Sequence, residues 1–175
     1  MRHPVDLRSE RGAALIETAL IASLVIVLAV GAAEMGFALL DWLAVSSATR
    51  EGARTGSASG DDPAADTLVL AAVDQALASN PSALVKEVWI FRSDSTGSVS
   101  DPLSGTNIYR KVGGGFVCDN GCPWAPTSRS TNALSLDYLG VRVVFSHDWI
   151  TDLVPWVGNE TWQDDTVMRL EPAQS

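Results

Sequence analysis

Residues Ala13 to Ala33 form an apolar run broken only by Glu17, and the stretch Thr18 to Ala33, TALIASLVIVLAVGAA, carries no charge. Coiled as a helix at 1.5 Å per residue, the run covers roughly 30 Å, one hydrocarbon core of a bilayer. A buried globular helix is one rival reading. A secretory signal is another, since Arg2, Arg8 and Arg11 make a basic flank. The run exceeds an ordinary signal core, however, and helix-forming sequence continues beyond it without a turn signal. A membrane span of about 13–40 is therefore expected. Three arginines ahead of the run favour a cytoplasmic N-terminus, with the remainder of the chain outside. Arg50 and Arg54 on the far side weaken that contrast, although Glu34, Asp41 and Glu51 lie among them.

The helical pattern continues through FALLDWLAVSSATREGARTG, with no proline and with Gly56 as a stop signal, so one helix over 13–56 is expected. It is about twice as long as a bilayer requires, so its outer half must project. Leu39, Leu43, Ala44, Ser47, Ala48 and Glu51 recur at three- and four-residue spacing, the pattern of a stripe that packs on a partner or on the chain's own domain. Gly31 and Gly36 weaken the helix locally, and small residues allow membrane helices to approach closely.

Beyond Gly56 the chain changes character. GSASGDDPA reads as a linker ending in a helix start, and a second helix over 64–79 follows, with Leu68, Ala71, Ala72, Gln75 and Leu77 near one side and Asn80-Pro81 ending it. Strands are predicted at 84–92, 140–145 and 166–171 from β-branched and aromatic content and alternation. The connection over 93–137 reads as turns, with one further strand near 108–112. A small antiparallel sheet needs a cover, and the outer half of the long helix is the available one. The expected fold is α+β and pilin-like.

From Ser57 onward there are seven Lys and Arg against fifteen Asp and Glu, a net charge of −8. Such a surface repels phosphate backbones and argues against nucleic-acid binding. Cys118 and Cys122, in GGGFVCDNGCPW, have the spacing of a small disulfide ring, which fits an oxidising compartment. Zinc held by the two thiols, His147 and an Asp is the weaker alternative, because a lone CxxxC has no second cysteine pair. No GxSxG, HExxH, P-loop or dinucleotide fingerprint is present, and Ser146, His147 and Asp148 are adjacent residues that cannot form a relay. No catalytic residue, cofactor or metal is assigned. Trp149, Ile150, Leu153, Val154, Trp156 and Trp162 read as core or loop packing, with an aromatic binding surface as the minor reading. The sequon at Asn159-Glu160-Thr161 carries no weight.

The segment RGAALIETALIASLVIVLAVGAAEMGFALLDWLAVSSATREGAR resembles the TadE-like family, minor pilins or pseudopilins of the tight-adherence (Flp) branch of type IV pili. The likeness lies in Gly12 at the apolar boundary, Glu17 five residues on, Glu34-Met35-Gly36-Phe37, and Arg50-Glu51-Gly52-Ala53-Arg54. The closing TVMRLEP is similar to that family's C-terminal signature. The resemblance implies a cytoplasmic leader over 1–12, removed by a prepilin peptidase between Gly12 and Ala13, and an extracytoplasmic domain over 57–175. It implies that Glu17 sets subunit register by pairing with the new α-ammonium of a neighbour. The implied partners are the peptidase, other pilins, the inner-membrane assembly platform and membrane lipid. The alternative is a single-pass anchored binding protein that never enters a filament.

Overall fold

A computed structural model describes residues 7–80, 83–101, 103–149, 151 and 161–172. Helix α1 spans Leu7–Ser59, α2 Ala65–Leu77, and five strands follow: β1 Ala83–Ser93, β2 Thr106–Val112, β3 Gly115–Cys118, β4 Tyr138–His147 and β5 Thr161–Arg169. The strands form one antiparallel sheet in the order β3-β2-β1-β4-β5. The α+β layout matches expectation, but the sheet has five strands where three, with one more near 108–112, were predicted. The 93–137 connection holds the strand predicted near 108–112 as β2 and pairs it with β3, which was not predicted. With four residues, GFVC, half of them exposed, β3 is too short to show the apolar alternation that marks a strand in sequence.

The 53 residues of α1 rise about 80 Å along the axis. The helix already includes Leu7 to Gly12, and it ends at Ser59, beyond the stop predicted at Gly56. Gly56 is a packing residue: a Cβ there would meet Leu139 at 2.8 Å and Val69 at 3.0 Å. The chain leaves the helix at Gly60, whose φ of 53° is the left-handed conformation of a helix C-terminus. The stretch expected to be a linker is thus docked at its start. Ser57 Oγ donates to the Arg169 carbonyl (2.6 Å), and the Glu171 amide donates to the Ser57 carbonyl (3.0 Å). The TVMRLEP signature closes the domain onto the top of α1.

The core lies between the helices and one face of the sheet. Val88 and Ile90 of β1 stand opposite Val143 and Val141 of β4, and with Leu139 and Phe145 they are fully buried against Val45, Ala48 and Ala53 of α1 and Val69 and Val73 of α2. Burying each such side chain contributes about 1.5–3 kcal/mol. Gly52 lets α1 and α2 approach, since a Cβ there would lie 2.7 Å from Val73. This accounts for the Arg-Glu-Gly-Ala-Arg motif: Gly52 and Ala53 face the core, while Arg50, Glu51 and Arg54 face out.

Two predicted faces are corrected. In α2 the buried residues are Ala65, Asp66, Val69, Leu70, Val73 and Leu77, whereas Leu68, Ala71 and Gln75 are exposed and Ala72 is only half-buried. The β-branched pair Val69 and Val73, one turn apart, fits the narrow space against α1 better than the longer Leu68. In α1 the expected stripe is split: Ala48 is buried and Ala44 half-buried, but Leu39, Leu43, Ser47 and Glu51 point away from the domain. The face that packs is Ala38, Asp41, Val45, Ala48 and Gly52, which includes a carboxylate that a hydropathy pattern counts as outward.

Candidate functional site

Gly12, Ala13 and Glu17 lie on a continuous, exposed stretch of α1. Glu17 follows Ala13 by one helical turn, about 6 Å of rise, and among the described residues none pairs with its carboxylate. Gly31 is half-buried and Gly36 exposed, and a Cβ at either would meet nothing within 4 Å. This chain therefore makes no use of them for close packing within itself. Leu39 and Leu43 are likewise left uncovered by the domain.

Two carboxylates that the sequence reading treated as flanking charges turn inward instead. Glu34 and Asp41, seven residues apart, share one face of α1 and are 7% and 1% exposed. The Thr151 amide donates to Glu34 Oε1 at 2.5 Å, and the His147 imidazole places Nδ1 2.5 Å from Asp41 Oδ2, the N–H donating to the carboxylate. Trp149 packs edge-on against the His147 ring at 4.9 Å, Trp162 stacks near it at 6.3 Å, and Trp162 meets Phe145 edge-on at 5.8 Å. Packing is thus the role of Trp149 and Trp162, while Ile150, Leu153, Val154 and Trp156 lie outside the described residues. The cluster pins Trp149 and Thr151, just after β4, to α1 just beyond Ala33. A seven-residue spacing of acids within an otherwise apolar face was the available signal for it.

A second polar centre joins α2 to the sheet. Asp66 accepts from Asn107 Nδ2 (2.8 Å), from the Tyr109 hydroxyl (2.7 Å) and from the buried Arg129 guanidinium. Asn107 also donates to the Trp124 carbonyl and accepts from the Trp124 amide, both at 2.8 Å, while Arg129 lies over the Trp124 ring at 4.5 Å. This centre fixes the segment following the Cys118–Cys122 disulfide, whose Cα atoms are 6.0 Å apart. Asn120 braces the ring by accepting from the Ile108 and Cys122 amides and donating to the Thr106 carbonyl. The cysteines are joined to each other, so the zinc alternative loses its two thiolates. Among the described residues no group of acids, histidines and cysteines is arranged to hold a metal.

Burial, reinforced by the hydrogen bond to Asp66, holds the Tyr109 phenol well above its usual range. The folded state then binds a proton that the unfolded chain releases above pH about 10. Stability from this group is complete below that pH and is lost as pH rises toward the folded value. The unfolding midpoint should fall above pH 10, and Tyr109→Phe should flatten that alkaline decline; an equally steep decline in the variant would refute the assignment.

Residues 12–54 match the family model described as TadE-like protein. No curated protein and no solved structure matches the chain.

Proposed function

We propose, from the match of residues 12–54 to the family model described as TadE-like protein, that this protein is a minor pilin or pseudopilin. It is made as a precursor, held in the inner membrane by α1 with its N-terminus in the cytoplasm, cut after Gly12 by a prepilin peptidase, and taken into a tight-adherence pilus used for surface adhesion. The observation that carries this reading is the family match beginning at residue 12, together with an exposed Glu17 that has no partner among the described residues.

Cleavage would create an α-ammonium at Ala13. In a bilayer interior an isolated charge is heavily penalised, while a close opposite pair is penalised far less. The α-ammonium of an incoming subunit and the Glu17 carboxylate of a placed one each relieve the other, and they do so at one axial stagger. The carboxylate therefore selects register, and the uncovered apolar side of α1 supplies contact with the other pilins and the assembly platform. The disulfide supports an extracytoplasmic domain, because such bonds persist in oxidising compartments. On this reading its role is assembly rather than catalysis.

Mass spectrometry of the protein from native membranes tests processing directly. A mature N-terminus at Ala13 is expected; a retained leader would favour the fixed anchor with an acidic, Trp-bearing binding domain, and a cut beyond Ala33 would reduce the segment to a secretion signal. The Glu17→Ala variant should insert as well as the parent yet fail to enter the filament. Normal pilus incorporation of that variant would contradict the register role.

A further inference from the structure

The uncharged run Thr18 to Ala33 is only about 24 Å long as a helix, short of the roughly 30 Å hydrocarbon core. The tertiary structure changes that length. Glu34 and Asp41 are turned into the domain, where Thr151 and His147 engage them, so the next charge that α1 presents outward is Arg50. The uncharged outer surface of α1 thus runs from Thr18 to Thr49, about 47 Å, comparable to a whole bilayer with its headgroups.

Beyond Ala33 that surface is strongly apolar. Met35, Phe37, Leu39, Leu40, Trp42 and Leu43 are each between 44% and 62% exposed. At 3.6 residues per turn these six directions spread over about 220° of the helix, everything that the domain leaves open. One packed helix covers a stripe of about 100°, whereas lipid, acting as a solvent, covers the whole arc. At the border of this arc Trp162 and Gln163 of β5 close a groove of about 440 Å³ against Met35, Ala38, Leu39 and Trp42. The groove begins within one turn of Ala33 and is continuous with the apolar run, and two indoles line it, the side chain favoured at the membrane–water boundary.

We propose that the folded domain is seated in the outer leaflet instead of standing clear of it, with the turns of α1 from Glu34 to Leu43 at interfacial depth and the groove occupied by a phospholipid acyl chain. The inference rests on the membrane-spanning reading of α1. The inward carboxylates acquire a purpose here: Thr151 and His147 supply the hydrogen bonds that water cannot provide at that depth.

The test uses the full chain in phosphatidylcholine nanodiscs, with bromine on the acyl chains either near the headgroup or near the terminal methyl, and tryptophan emission as readout. Bromine near the headgroup should quench, and Trp42→Phe and Trp162→Phe together should remove the larger share of that quenching, whereas Trp89→Phe should leave it unchanged. Leu24→Trp should add emission quenched best by the deep bromine. If Leu24→Trp is not quenched, the spanning reading fails and the inference with it. If Leu24→Trp is quenched but the Trp42 and Trp162 variants change nothing, the inference alone is overturned. Emission from Trp42 and Trp162 shielded from both bromolipid and acrylamide would mean a protein covers the groove, which also overturns it. A nitroxide on Leu39→Cys provides a check that disturbs no buried contact: relaxation by oxygen should exceed that by an aqueous nickel chelate, and the reverse order would refute the seating.

Discussion

Asp66→Ala is expected to destabilise the domain by about 3–5 kcal/mol, the cost of leaving a buried cation without its partner. Arg129 is fully buried at its side chain and has no acidic partner other than Asp66 among the described residues. Removing the carboxylate also takes the acceptor from the Tyr109 hydroxyl and one of the two acceptors from Asn107 Nδ2, which keeps the Trp124 carbonyl. Such a loss is a large fraction of the total for an ordinary domain, about 5–15 kcal/mol. Denaturant unfolding followed by Trp124 emission would measure it, because Trp124 is held by Asn107 and lies under Arg129. Asp66→Ala combined with Arg129→Leu should recover part of the loss, since the orphaned charge is then absent. A single variant within about 1 kcal/mol of the parent would mean that Arg129 finds water instead.

Gly140→Ala should cost about 3 kcal/mol, toward the upper end for overpacking a filled site. Gly140 stands opposite Phe91 across the β1–β4 pairing, on the sheet face away from the helices, and a Cβ there would fall 2.2 Å from the Phe91 ring. The ring is itself fully buried, with Arg142 over it at 5.6 Å, so it has little room to retreat. Combining Gly140→Ala with Phe91→Leu should be less damaging than the two separate losses added together, with a coupling of about 1–2 kcal/mol in a double-mutant cycle. Strict additivity would show that the clash is relieved elsewhere.

These two residues mark where reading the sequence stops. Gly140 opens the alternation that correctly predicted a strand, but nothing local says that an aromatic ring from another strand lies over it. Asp66 is one acid in a helix of mixed composition, and its three partners lie 41, 43 and 63 residues away. Strand β3, the partner of the predicted β2, escaped notice for a related reason. Half of its residues are exposed, and its register depends on pairing with β2 and on a disulfide ring closed four residues apart.

By itself the sequence determined the long apolar helix, its charged boundaries, the Gly12-Ala13 and Glu17 arrangement, the family likeness and an α+β domain beyond it. Those features are written in contiguous residues, where hydropathy and helical period act locally. The tertiary structure alone decided which side of α1 faces its domain. Glu34 and Asp41 read as exposed flanking charges when the chain is taken in order. They are buried instead, because His147 and Thr151, more than a hundred residues later, draw both carboxylates inward. Burial of a charge depends on finding a partner in space, and no local pattern encodes where that partner will be.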